Sequence, residues 1–140
     1  RTRKRLKEDL VAELLPRAEF VVAMLPLSDT TRGMLNAELF AQMKPGSIFI
    51  NGGRGATVDE AALLHALDHG PLRAAGLDVF AKEPLPTASP LRTHPRVTPL
   101  PHIGSATAET RHAMAALAVT NLLQVLAGEQ ATAAYDTAAA

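Results

Sequence analysis

The chain has 140 residues and contains no cysteine. This absence excludes a disulfide framework and a catalytic thiolate, and it fits a cytoplasmic protein. Long apolar runs are also missing: none is long enough to cross a bilayer, and no signal-peptide pattern opens the chain. We therefore expect no membrane partner.

Net charge is absent too, since 14 basic side chains balance 14 acidic ones. The balance is uneven, because five of the basic residues lie between positions 1 and 7. The remaining residues have nine basic and 14 acidic side chains, a net charge of −5. This distribution argues against a nucleic-acid partner.

Strand-like apolar runs alternate with helical patterns along the chain. The strand candidates are 20–25, 47–51, 73–79 and 96–100. Helices are predicted at 6–18, at 37–44 after Asn36, at 59–69, and at 108–127 after Ser105 or Thr107. The proline-rich segment 81–95 predicts a long loop.

This alternation implies parallel strands joined by right-handed crossovers. The runs VVAML and SIFI show no polar alternation, which favours strands covered on both faces. We therefore predict an α/β fold, a partial doubly wound (Rossmann-like) parallel sheet with flanking helices. The apolar residues Met114, Leu117 and Leu122 of the last helix are interpreted as core packing.

Three chemically distinct side chains lie in turns marked by Gly or Pro, each shortly after a strand candidate: Arg54, Glu83 and His102. Ligands bind at the carboxyl ends of strands in open α/β sheets. The fork-shaped guanidinium of Arg54 can grip a carboxylate, the imidazole of His102 can transfer a proton, and Glu83 can orient that imidazole. The structural alternatives are a salt-bridged arginine, a solvated glutamate and a histidine that only hydrogen-bonds.

Four segments, LPLSDTTRGMLN, MKPGSIFINGGRG, AAGLDVFAKEPLP and PHIGSAT, occur in this order. They resemble the D-isomer-specific 2-hydroxyacid dehydrogenases, from about Leu10 to about Glu129. Within that family the run EPLPTASPL before LPHIGSATAETR is similar to the glyoxylate/hydroxypyruvate reductases. The resemblance implies that Arg54, Glu83 and His102 are catalytic, and that Glu83 is the partner of His102.

The resemblance also implies an NADP or NAD cofactor and a small 2-oxo or 2-hydroxy acid as substrate. Arg54, His102 and Ser105 are the implied substrate-side residues. Cofactor-lining residues are implied at Pro26, Gly52, Gly53, Arg54 and Asp78, with Asp78 accepting a hydrogen bond from the nicotinamide carboxamide. Arg1 and Arg3 either meet the 2′-phosphate of NADP, which slightly favours NADPH, or form a solvated basic run.

No Gly-x-Gly-x-x-Gly motif follows a strand in this chain. In the resembled family that motif lies upstream of a basic stretch such as 1–4, so we expect a C-terminal fragment or a truncated gene product. Residues 1–128 would be the C-terminal half of a dinucleotide-binding domain, with helix 108–127 leading back toward an absent substrate domain. Residues 129–140 would be a disordered tail, and the full-length protein a homodimer.

Three functions remain open from the sequence. The first is an NAD(P)-dependent oxidoreductase of a small 2-oxo acid that gives the D-2-hydroxy acid. The second is a dinucleotide-sensing corepressor without enzymatic activity, and the third is an inactive fragment. A metal site at His65 and His69 is disfavoured, because the sequence suggests no third ligand.

Overall fold

The computed structural model describes residues 11–133. The chain divides into two compact units, one ending at Ile103 and the other beginning at Gly104. The predicted helix 6–18 is helical at 11–14, and its first residues lie outside the described range.

The first unit is built on a parallel four-stranded sheet. Its strands are β1 (Phe20–Ala23), β2 (Ser47–Asn51), β3 (Leu72–Leu77) and β4 (Val97–Pro99). The order in the sheet is the order in the chain, β1-β2-β3-β4. All four strands therefore end at the same edge, hereafter the carboxyl edge. The predicted α/β class and parallel pairing are confirmed.

β2 has the predicted bounds, β1 and β4 are shorter than predicted, and β3 begins one residue early and ends two residues early. Sheet pairing stops at Ala23, opposite Asn51. The predicted residues 24–25 and 78–79 lie beyond the last paired residues of β1 and β3 and run on into the site turns. The apolar pattern could not show where pairing ends.

Two short helices connect the first three strands, α1 (Ala37–Ala41) and α2 (Glu60–Asp68). The Oδ1 atom of Asn36 accepts the Leu39 N–H and caps α1 as predicted, and the Oδ1 atom of Asp59 accepts the N–H groups of Ala61 and Ala62. Each such cap is typically worth about 1 kcal/mol. No helix joins β3 to β4: the proline-rich loop predicted there contains one 3₁₀ turn, Pro90–Arg92.

The core lies between the sheet and the two helices. Phe49 of β2 meets Phe40 of α1 edge to face, with ring centroids 5.2 Å apart. Both rings are fully buried, together with Leu63 and Leu67 of α2. Burial of side chains of this size is the main favourable contribution to folding.

The opposite side of β1 and β2, hereafter the open face, consists of Phe20, Val22, Ile48 and Ile50. Phe20 is 60% exposed and Val22 is 57% exposed, while Ile48 and Ile50 are half-buried. The prediction that these strands are covered on both faces is therefore wrong. In the described part of the first unit, the core cluster packs against the other face only.

The second unit contains one long helix, α3 (Ala108–Leu126). The Oγ1 atom of Thr107 accepts the Thr110 N–H, which identifies Thr107 rather than Ser105 as the cap. No residue of α3 is buried, so the interpretation of its apolar residues as core packing is wrong for the described chain. Beyond the helix, Ala133 and Thr132 hydrogen-bond to the side chains of Asn121 and Gln124.

Candidate active site

The candidate residues of the first unit follow the carboxyl ends of four adjacent strands. Pro26 follows β1, Arg54 follows β2, Asp78 and Glu83 follow β3, and His102 follows β4. Because the strands are parallel, these turns emerge at one edge of the sheet. This is the edge where open α/β sheets bind their ligands.

Glu83 and His102 form a direct pair. The Oε2 atom of Glu83 lies 2.8 Å from Nδ1 of His102, and the other carboxylate oxygen accepts the Phe80 N–H at 2.9 Å. An ionised carboxylate only accepts hydrogen bonds, so Nδ1 of His102 carries the proton. The pair therefore leaves Nε2 of His102 as the nitrogen available to exchange a proton with a ligand.

The charge of Glu83 is stabilised by its surroundings. The hydrogen bond from His102 lowers the pKa of the Glu83 carboxyl group, and the Phe80 N–H acts in the same direction. Partial burial opposes these effects but does not cancel them. Glu83 is consequently ionised at neutral pH, as an orienting partner for an imidazolium must be.

His102 has an unusual backbone conformation. Its φ angle is +54°, in the left-handed region that costs non-glycine residues free energy, typically about 1–3 kcal/mol. The next residue is held in place, since the Ile103 N–H donates to Oδ1 of Asp78 at 2.8 Å. The bonds to Glu83 and Asp78 thus fix the imidazole and the turn that carries it.

A cavity of about 730 Å³ opens beside this pair. Its walls are mostly apolar, with one cation, the Glu83 carboxylate and the His102 ring among the lining residues: Phe80, Glu83, Pro84, Leu85, Arg92, Pro99, Leu100, Pro101 and His102. A concave apolar site with a few convergent polar groups is typical of small-molecule binding.

Arg54 projects from a turn braced by buried polar groups. Its carbonyl oxygen accepts hydrogen bonds from Oγ1 of Thr57 at 2.6 Å and from Nδ2 of Asn51 at 3.3 Å. Its guanidinium is exposed and donates through Nη1 to the carbonyl of Gly53. Within residues 11–133 no acidic side chain pairs with Arg54, which disfavours the salt-bridge alternative.

Two glycines allow the Arg54 turn to pack closely on its neighbours. A Cβ atom on Gly53 would lie 2.7 Å from the Leu25 carbonyl oxygen, and one on Gly55 would overlap the Phe80 backbone. Only glycine permits such contacts. Because the Phe80 N–H binds Glu83, the Gly55 contact places the Arg54 turn directly against the residue that holds Glu83.

The other predicted site residues make fewer contacts with the Arg54 turn and the Glu83–His102 pair. The Pro26 carbonyl accepts a hydrogen bond from the Thr31 hydroxyl, and the Gly52 N–H donates to the Ala23 carbonyl. Ser105 is exposed and belongs to the second unit. Arg1 and Arg3 lie outside the described residues.

Residues 2–104 match the model of the D-isomer specific 2-hydroxyacid dehydrogenase NAD-binding domain. The chain belongs to this family. Arg54, Glu83 and His102 follow the carboxyl ends of β2, β3 and β4 in this chain.

Curated relatives include the glyoxylate/hydroxypyruvate reductase B proteins of Escherichia fergusonii and Serratia proteamaculans. They are 57% and 56% identical to the chain over 115 residues, which is 82% of this chain. The chain spans only 36% of the first relative and 35% of the second.

Solved structures show the same fold. A Thermus thermophilus protein superposes with a TM-score of 0.82 at 47% identity, covering 87% of this chain and 39% of its own. The NADPH-dependent glyoxylate/hydroxypyruvate reductase of Sinorhizobium meliloti, solved with NADP and sulfate, gives 0.79 at 34% identity, covering 94% of this chain and 42% of its own.

Sequence reasoning missed the residues that hold the site together: Asn51, Gly55, Thr57, Phe80 and Ile103. For Asn51 the sequence does contain a signal. Side chains alternate between the two faces of a strand, and this alternation places the Asn51 amide on the inward-facing side of β2. The backbone donors Phe80 and Ile103 left no such signal, since their apolar side chains say nothing about their N–H groups.

In residues 11–133 no group of three or more His, Cys, Asp or Glu side chains could hold a metal ion. The rings of His65 and His69 lie 5.3 Å apart on α2 without a third ligand. None of the helices in the described range is both long enough and apolar enough to span a bilayer.

Proposed function

We propose that this chain forms the catalytic wall of an NAD(P)H-dependent reductase of small 2-oxo acids such as glyoxylate or hydroxypyruvate. The observation that carries the proposal is the Glu83–His102 pair, 2.8 Å long, at the carboxyl edge of a parallel sheet. The named activity of the curated relatives supports the same substrate class. The D-2-hydroxy acid is the product that the family description implies.

His102 donates the proton in this reaction. When bound, the reduced nicotinamide supplies the hydride that the carbonyl carbon accepts. The carbonyl oxygen takes the proton from Nε2 of His102 and becomes the hydroxyl group. Glu83 retains its negative charge throughout and stabilises the imidazolium through Nδ1.

Arg54 binds the substrate carboxylate. A guanidinium can donate two parallel hydrogen bonds to a carboxylate, which fixes both position and orientation. The exposed side chain of Arg54 has no acidic partner in the described residues, so its charge is available for a ligand. Hydrogen bonds already hold the backbone of the Arg54 turn, so less conformational entropy is lost when a ligand binds.

The turn residues fit the nicotinamide end of a dinucleotide. Gly52 and Gly53 lie at the end of β2 and are proposed to line the nicotinamide. Asp78 supplies a carboxylate at the end of β3, whose Oδ1 already accepts the Ile103 N–H. Pro26 lies at the end of the adjacent strand, and Ser105 is proposed on the substrate side.

NADPH is the slightly favoured cofactor in this proposal. The Sinorhizobium meliloti structure was determined with NADP, and a Xanthobacter autotrophicus relative with NADPH. If Arg1 and Arg3 bind the 2′-phosphate, replacing both by Ala raises the KM for NADPH selectively over that for NADH. Equal KM changes for the two cofactors would leave these arginines as surface charge.

The remaining features of the proposal concern the whole protein. Residues 1–128 would contribute the C-terminal half of the dinucleotide-binding domain, with α3 leading toward a substrate domain and 129–140 as a tail. We also propose a cytoplasmic location, which fits the lack of cysteine, and a homodimer as the full-length state.

The proposal is tested by a chimera in which this chain replaces the matching segment of the Escherichia fergusonii reductase. In this protein Arg54, Glu83 and His102 all come from the present chain. We expect NADPH oxidation that depends on added glyoxylate or hydroxypyruvate. A folded chimera that binds NADPH but reduces neither acid would contradict the proposal.

A further inference from the structure

Asn51 is a buried polar side chain outside the set of reacting groups. It is 1% exposed at the last position of β2, paired with Ala23 on one side and Leu77 on the other. An amide in such a place costs free energy unless its hydrogen-bonding groups are satisfied. The hydrogen bonds of the Asn51 side chain therefore identify the groups that it holds in place.

Both ends of the Asn51 carboxamide bind the Arg54 turn. Oδ1 accepts the Gly53 N–H at 3.0 Å, and Nδ2 donates to the Arg54 carbonyl at 3.3 Å. The same carbonyl accepts the N–H and the hydroxyl of Thr57. The Gly52–Gly53 and Arg54–Gly55 peptide groups are thus held from one buried side chain.

The main chain of Asn51 binds the other half of the site. Its carbonyl accepts the Asp78 N–H at 3.0 Å, and Oδ1 of Asp78 accepts the Ile103 N–H next to His102. Asn51 is therefore linked to both halves of the site: it lies next to the Arg54 turn in the chain, and its carbonyl is hydrogen-bonded to Asp78. A shift of Asn51 would therefore move Arg54 relative to His102.

We propose that Asn51 is a positioning residue whose carboxamide orients Arg54 toward the carboxylate of the 2-oxo acid. The inference rests on the proposed function of Arg54, but its structural half can be measured without turnover. The decisive feature is the donor Nδ2, since an acceptor alone could hold only the Gly53 side of the turn.

Asn51→Asp keeps the acceptor for the Gly53 N–H and places a carboxylate oxygen where Nδ2 donated to the Arg54 carbonyl. We expect faster amide hydrogen exchange at Thr57, by about tenfold relative to core amides such as that of Phe49. The measurement uses the 140-residue chain. An unchanged Thr57 rate relative to the core would overturn the proposal.

Asn36→Asp is the matched control. Oδ1 of Asn36 also accepts a backbone N–H, that of Leu39, and aspartate caps helices as well as asparagine does. This variant should leave exchange at Gly53 and Thr57 unchanged. If the buried charge unfolds Asn51→Asp, Asn51→Leu provides the test without a charge: both Gly53 and Thr57 must then exchange faster than in the parent, and parental rates would overturn the proposal.

The kinetic test uses the chimera. Asn51→Asp should raise the KM for glyoxylate about tenfold or more, as expected from a misplaced binding group, and leave the KM for NADPH within about twofold. Unchanged KM for glyoxylate in an active chimera would overturn the inference. An inactive parent chimera would contradict the proposed function instead, while the exchange rates still decide whether Asn51 positions the turn.

Discussion

At the carboxyl edge of the sheet, hydrogen bonds connect the turns after β2, β3 and β4; their donors and acceptors are in Asn51, Arg54, Asp78, Glu83, His102 and Ile103. On the open face of the same sheet, Phe20 and Val22 leave more than half of their surface in solvent. The described residues thus join the turns of the candidate site by hydrogen bonds but leave part of the sheet uncovered.

The difference between the carboxyl edge and the open face indicates which features of the site are formed by the chain's own contacts. The Glu83–His102 pair is held by hydrogen bonds within the described residues of the first unit. The chain spans about a third of the curated relatives it matches.

The largest effect is expected between the isolated chain and the chimera. The 140 residues contain no Gly-x-Gly-x-x-Gly turn to hold a pyrophosphate, and the cavity beside His102 is open to solvent. We therefore expect no detectable NADPH oxidation by the isolated chain with glyoxylate, and measurable oxidation by the chimera. Robust turnover by the isolated chain would show that one wall is sufficient.

Removal of the proton donor should have the next largest effect. In the chimera, His102→Ala should lower kcat by a factor on the order of 10²–10⁴, because no other group at this position can protonate the carbonyl oxygen. The KM for NADPH should change little. His112→Ala, at an exposed histidine of α3 that only binds the Ala108 carbonyl, is the control and should keep the parental kcat.

A smaller, more selective effect is expected at Arg54. Arg54→Lys keeps the positive charge but loses the planar fork that binds a carboxylate through two bonds. The KM for glyoxylate should rise by about tenfold, a loss of about 1.4 kcal/mol, while the KM for NADPH stays the same. Arg111→Lys on α3 should change neither. Equal changes for both ligands would assign Arg54 to the cofactor or to the scaffold.

The smallest effect concerns stability in acid. The pKa of Glu83 in the folded chain lies below its ordinary value of 4.5, so the unfolded chain takes up a proton first as the pH falls. The stabilisation is therefore complete above about pH 4.5 and is lost as the pH falls through the folded pKa. Glu83→Gln should flatten the loss of unfolding free energy below pH 4.5, measured by denaturant titration, and an unchanged loss would contradict the prediction.

The position of much of the candidate site could be predicted from the sequence, because the candidate side chains are of distinctive types in turns marked by Gly and Pro. The apolar runs before Arg54 and His102 predicted strands, and parallel strands put both turns at one edge. The positive φ of His102 and the roles of the Phe80 and Ile103 N–H groups could not be predicted, since they arise from tertiary contacts.

The exposure of the open face and of α3 could not be predicted from the sequence. An apolar run such as VVAML indicates that its residues are suited to burial, but it does not indicate what buries them. Phe20 and Val22 are exposed because, in the described part of the first unit, α1 and α2 pack against the other face. Hydrophobic periodicity indicates which side chains favour burial, whereas the structure shows which residues pack against them.

The central claim is that Glu83 acts through His102, and a double-mutant cycle tests it most directly. The measured quantity is kcat for glyoxylate reduction by the chimera, by Glu83→Gln, by His102→Ala, and by the two changes combined. If the residues act as a unit, the combined variant has the kcat of His102→Ala within about twofold. If Glu83→Gln lowers kcat by the same factor with or without His102, the two residues act independently and the account is contradicted.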